Sequence, residues 1–68
     1  MITLGTIGRA IAKFRTSKGM SQEDLAAEAN VNRGYISRIE NGRVAFSVTV
    51  LLKICKALEI DPGHIFRL

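Results

Sequence analysis

The chain holds one cysteine, Cys55, one histidine, His64, and no tryptophan. A single cysteine excludes an internal disulfide, and Cys55 and His64 lack the paired spacing that a zinc site requires. No nucleophile, base and acid can be assembled into a set, so the chain is expected to be no enzyme and to need no metal or cofactor. No run of about 18 apolar residues and no secretory pattern is present, which argues against a membrane and for a reducing cytosol. Proline occurs once and there is no low-complexity tract, so the 47% hydrophobic content reads as a folded globular chain rather than a disordered one. With 68 residues there is room for one domain, 1–68, and one small core. Acids are scarce as well: 6 Asp and Glu against 10 Lys and Arg leave a net charge of +4, which turns the search for partners toward polyanions.

What is present is helical punctuation. Ile7, Ala10, Ile11 and Phe14 recur at helical spacing and predict a first helix from about Thr6 to Lys18, stopped by Gly19. Ser21, with Asp24 three residues on, caps a second helix that ends near Ala29. Asn30 and Val31 form the turn, Asn because it tolerates the left-handed conformation and Val because it plugs the gap between two helices. Asn32 caps a third helix running to Asn41, and Gly42 stops it. Arg43 to Phe46 make a loop, Ser47 caps a fourth helix to about Leu58, and Asp61 with Pro62 opens a short fifth helix to Phe66. Only Arg43 to Val50 carries strand-like alternation, and the Ser47 cap argues against it. The fold class read from these signals is all-α, with five helices.

At about 100° per residue, Arg33, Gly34, Ser37, Arg38 and Asn41 of the third helix share an outward sector, while Tyr35, Ile36 and Ile39 face the other way. Two guanidiniums on that sector suit guanine O6 and N7 in the major groove, and the Ser37 hydroxyl serves several bases. Gly34 costs about 1 kcal/mol relative to alanine within a helix, so it asks for a reason. Close approach to DNA is one; a first turn already held by the Asn32 cap is the other. Phosphate contacts are expected from the rim, at Gln22, Asn32, Asn41 and Arg43, helped by backbone N–H groups at the start of the second helix.

These residues resemble the lambda-repressor-like family of helix-turn-helix proteins, which includes phage repressors, Cro and the controller proteins of restriction-modification systems. The resemblance covers nearly the whole chain. It rests on Arg15, SQEDLA at Ser21 to Ala26, YISRIENG at Tyr35 to Gly42, then Ser47, Leu51 to Ile54, Ala57 to Leu58, and Pro62. It implies a five-helix bundle whose third helix enters the major groove of double-stranded DNA, usually as a symmetric dimer on a palindromic operator. It also implies base contacts at Arg33, Gly34, Ser37 and Arg38 and backbone contacts at Gln22, Asn32 and Asn41. Gly34 departs from the polar residue often found at its position. The family pattern pairs Arg15 with Glu40, and the wheel agrees in setting Glu40 at the packed edge of the third helix. A free-standing bundle without a ligand or cleavage domain looks most like the controllers; small phage-type repressors fit nearly as well, and antitoxins share the fold.

The fourth helix carries Val48, Val50, Leu51, Leu52, Ile54, Cys55, Ala57 and Leu58, apolar over more than the roughly 100° stripe that one core needs. A second surface is expected to cover the excess, so Leu52, with Ile65 and Phe66 of the last turn, is assigned to a two-fold homodimer contact. The main function expected is transcription regulation, and the reading from another class is a module that holds a protein partner such as a toxin. Glu23, Asp24 and Glu28 offer an acidic strip that suits RNA polymerase as well as ordinary helix solvation.

Overall fold

The computed structural model describes residues 1–67. Five helices follow one another: α1 (Leu4–Ser17), α2 (Gln22–Ala29), α3 (Arg33–Glu40), α4 (Val48–Leu58) and α5 (Pro62–Phe66). No strand occurs among the described residues, so the Arg43 to Val50 alternation is resolved in favour of a loop and the Ser47 cap.

The caps explain the boundaries. Ser21 Oγ accepts the Asp24 N–H at 2.9 Å while Asp24 returns the favour to the Ser21 N–H, also at 2.9 Å, closing a capping box at the start of α2. These bonds to Ser21 hold the Asp24 carboxyl below its ordinary range. Ser47 Oγ accepts from Val50 N–H, and Asp61 Oδ1 accepts from Gly63 N–H. Asn30 takes the left-handed conformation at φ 56°, ending α2, and Gly42 ends α3 in the same region at φ 70°. α3 stops one residue before the expected Asn41, which serves as its C-cap.

The first helix is a correction. It begins at Leu4, not Thr6, because Thr3 is the cap: Thr3 Oγ1 accepts from Thr6 N–H at 3.1 Å and Thr6 Oγ1 accepts from Thr3 N–H at 2.7 Å. Threonine replaces the Glu or Gln that marks a capping box in a sequence, so the signal was muted. The helix ends at Ser17, with Lys18 as its cap.

Ile11, Leu25, Ile36, Ile39, Ile54, Leu58 and Ile65 are wholly buried and form one core to which every helix contributes. α1 packs on α3, α2 on both α3 and α4, and α5 on α1 and α4. Val31 packs against this core from the turn, as expected of a plug. Cys55 is buried too; burial, with the Asp61 charge adding to it, pushes its thiol above the usual range, and it packs as a small hydrophobe.

Ile65 is a second correction. Its side chain is 0% exposed and belongs to the protomer's own core, so it has no surface to offer a second copy. Adjacent helical residues point about 100° apart, and burying Ile65 turns its neighbour Phe66 outward. Phe66 is 43% exposed, and on α4 Val48 and Leu52 are 71% and 50% exposed. The apolar excess of α4 is therefore at the surface, on positions one helical turn apart.

Candidate nucleic-acid interface

The site is built on α3 and braced from behind by Glu40. Arg15 Nε donates to Glu40 Oε2 at 2.7 Å, Nη2 donates to Oε1 at 3.1 Å, and Nη1 donates to the Met20 carbonyl oxygen at 2.8 Å. Gln22 Nε2 donates to the same Glu40 Oε1 at 3.0 Å. The two ionised side chains are 14% and 5% exposed, so the pair is largely withdrawn from water. The expected Arg15–Glu40 pair thus lies at the junction of α1, the α1–α2 loop, the first turn of α2 and the last turn of α3. Four elements are held in one geometry by four N–H donors, three of Arg15 and one of Gln22, meeting a carboxylate and a carbonyl.

On the outer side, Arg33 and Arg38 are exposed, and Gly34 and Ser37 are half-buried on the same sector. Neither Arg33 nor Arg38 takes part in a salt bridge among the described residues. Both cations stand at the surface with their fork of donors uncommitted to a carboxylate, an arrangement fitted to phosphate or guanine. The Arg38 guanidinium carbon lies 5.9 Å from the centroid of the Tyr35 ring, within cation–π range. The helical wheel sets Tyr35 on the packed side; it is half-buried and supports Arg38 from below. The signal that would have found this role is the three-residue spacing of an aromatic and a cation on one helix.

The rim residues have local duties in the free protein. Asn32 Oδ1 accepts from Gly34 N–H at 2.7 Å as the α3 cap, and Asn41 Nδ2 donates to the Ser37 carbonyl at 2.8 Å. Both side chains are exposed and keep further hydrogen-bonding capacity. Arg43 is exposed just past α3, where its backbone N–H closes the helix on the Arg38 carbonyl at 2.9 Å. Gln22 is half-buried; one amide hydrogen goes to Glu40 and the other remains. The backbone N–H groups of Gln22 and Glu23 precede the first capped donor of α2 and add the positive end of a helix dipole beside the last turn of α3.

Asp24 of the acidic strip is occupied by the Ser21 capping box, whereas Glu23 and Glu28 are exposed without such a bond. His64 is exposed, packed edge-on against Phe14 with its Nδ1 accepting from Asp61 N–H. Among the described residues, no group of three or more His, Cys, Asp or Glu side chains comes together in a way that could hold a metal ion. No helix among them is long and apolar enough to cross a membrane.

A family model described as helix-turn-helix matches residues 11–65. The control protein C.BamHI of Bacillus amyloliquefaciens is 45% identical over 56 residues, covering 81% of this chain and 69% of that protein. The restriction-modification controller protein C.AhdI from Aeromonas hydrophila has a structure that superposes with a TM-score of 0.91 at 36% identity, covering 93% of this chain and 96% of that one. The controller C.Esp1396I, in a structure bound to a 19-base-pair DNA duplex, gives a TM-score of 0.86 at 40% identity, covering 93% of this chain and 84% of that one. Longer relatives are matched over one part only: the chain spans 40% of the length of the HTH-type transcriptional regulator SlrR of Bacillus subtilis (strain 168), at 39% identity over 61 residues. The chain belongs to the helix-turn-helix family of transcriptional regulators, in which its fold lies close to those of the restriction-modification controller proteins.

Proposed function

We propose that the protein is a sequence-specific DNA-binding regulator of the controller type, acting as a homodimer on a palindromic operator. The observation that carries this reading is the exposed pair Arg33 and Arg38 on one face of α3, uncommitted to any carboxylate among the described residues. With α3 in the major groove, the two guanidiniums reach guanine edges and Ser37 lies between them. Gln22, Asn32, Asn41, Arg43 and the N-terminus of α2 meet phosphates and fix the register of the helix on the duplex. The DNA-bound state of C.Esp1396I, a relative of the same fold, supports this mode of use.

The second copy docks through Val48 and Leu52 of α4 and Phe66 of α5, the exposed apolar residues at this end of the chain. A two-fold contact there presents two α3 helices about 34 Å apart, one turn of B-DNA. Leu52→Asp and Phe66→Asp are both expected to shift sedimentation from dimer to monomer without loss of far-UV helicity, since each adds a charge at a surface already exposed in the protomer. A Leu52→Asp protein that still sediments as a dimer would move the contact elsewhere.

Arg38→Ala is expected to leave helicity intact, weaken specific binding and relax preference at one base pair of each half-site. A bidentate guanine contact discriminates by about 1–3 kcal/mol, and a symmetric dimer loses it twice. Selection from random duplexes followed by titration measures both effects. Unchanged affinity and preference would refute the readout. Binding by this surface also falls steeply with salt, because each neutralised phosphate releases condensed counterions. The reading as an antitoxin-like module that grips a protein instead predicts no sequence preference in the same selection.

A further inference from the structure

We propose that Gly34 is a specificity-determining residue that acts by leaving a slot for Arg38; the inference rests on the DNA-reading role of α3 given above. Side chains on a helix lean toward its N-terminus, so Arg38 runs back over the turn that contains Gly34 and Tyr35. At position 34 nothing stands in its way. A Cβ built there would lie 3.5 Å from Arg38 Nη1, in ordinary contact, and any atom beyond Cβ on that side would compete for the volume the guanidinium occupies. Tyr35 closes the far side of the slot with its ring 5.9 Å from the guanidinium carbon. An otherwise free surface arginine is thereby given a preferred direction along the helix, and the base it reads follows from that direction.

The alternative reason for a glycine at 34 is the cap. A Cβ there would come within 2.9 Å of Asn32 Oδ1, the atom that accepts the Gly34 N–H. That contact is with the tip of a side chain, which can give by a few tenths of an ångström. It is also made by any residue at 34, whereas the slot is lost only to a long one. Two substitutions therefore separate the explanations. Gly34→Ala disturbs the cap and barely reaches Arg38; Gly34→Met disturbs the cap equally and fills the slot, with an unbranched chain that favours helix and has no donor of its own to read a base.

The test uses the intact chain in two measurements. In proton NMR of the free protein, the Arg38 side-chain resonances should carry a ring-current shift from Tyr35 in the wild type and Gly34→Ala and lose it in Gly34→Met. In titration against operator variants, Gly34→Ala carries the cap disturbance without filling the slot and serves as the reference for it. Gly34→Met should lose about tenfold in discrimination at the base pair where Arg38→Ala loses its own, and the double variant Gly34→Met/Arg38→Ala should lose no more than Arg38→Ala alone. An unshifted Arg38 in the wild type overturns the slot, and so does a Gly34→Met protein with wild-type preference or with a loss at a different base pair. If the wild type binds DNA without any sequence preference, the reading role of α3 itself falls, a result visible before any variant is compared.

Discussion

Glu40→Ala is expected to reduce the free energy of unfolding by about 3–5 kcal/mol, measured by urea denaturation at neutral pH. The carboxylate accepts two bonds from Arg15 and one from Gln22 at a junction where the two ionised side chains are 5% and 14% exposed. Removing it leaves the guanidinium largely out of water with only the Met20 carbonyl to satisfy it. The penalty for an unpaired, desolvated charge dominates, and it exceeds the 0–1 kcal/mol of an ordinary surface pair. Below about 80 residues a single core rarely supplies more than about 3–5 kcal/mol of net stability, so the variant should be substantially unfolded at 25 °C. Glu40→Gln, which keeps the shape and one acceptor oxygen, should fall between. Replacing both partners, Arg15→Met with Glu40→Leu, should recover much of the loss, because the cost lies in the stranded charge rather than in the absence of attraction. A Glu40→Ala loss below about 1 kcal/mol would mean that water reaches the pair and that it behaves as a surface bridge.

The same carboxylate ties fold to function. Gln22, assigned to a phosphate, is held by Glu40, and Arg38 stands two residues before it on the reading helix. The first turn of α2 and the last turn of α3 are thus set against each other before DNA arrives, so less order has to be imposed on binding.

How much of this could be read in the chain depends on the range of the interaction. Caps are local: Ser21, Asn32, Ser47 and Asp61 each bond a backbone N–H two or three residues away, and all four were legible, as was the left-handed Asn30. Thr3 was not, because its partner Thr6 lies outside the usual box signature. Glu59, left-handed at φ 56°, also escaped, since nothing but position distinguishes it from any exposed glutamate. The outward sector of α3 followed from periodicity. The bond from Gln22 to Glu40 joins residues 18 apart, and no local rule places an amide of one helix against a carboxylate of another. The burial of Ile65 beside an exposed Phe66 has a related cause: composition marks a short apolar turn as sticky, while only the packed position of α5 decides which of two adjacent residues faces in.

Gly8 is the position where the expected effect and the missed signal coincide. Gly8→Ala should destabilise the protein by about 3 kcal/mol, read as a lowered melting temperature, although alanine is about 1 kcal/mol the better helix former. A Cβ on Gly8 would lie 2.8 Å from the Glu40 carbonyl oxygen and 2.9 Å from its carbonyl carbon, and closer still to the Ile39 carbonyl oxygen. These are backbone atoms at the end of α3, with no rotamer to turn away, so α1 as a whole must retreat from α3 and strip contact from Ile11 and the core behind it. Gly5, three residues earlier in the same helix, supplies the control. A Cβ there meets only the tips of Arg9 and Thr3 at 3.5 and 3.6 Å, so Gly5→Ala should be neutral or raise stability by up to about 1 kcal/mol. Opposite signs from one chemical change in one helix would isolate close backbone approach from helix propensity; equal effects would show that Gly8 does not rest against the end of α3. The clue stood in the sequence all along, since a glycine within a helix costs stability and calls for a reason at position 8 as much as at position 34. At 34 the proposed reason is a side chain that needs room to read, and at 8 it is α3 itself, whose final carbonyls rest where a methyl group would have to stand.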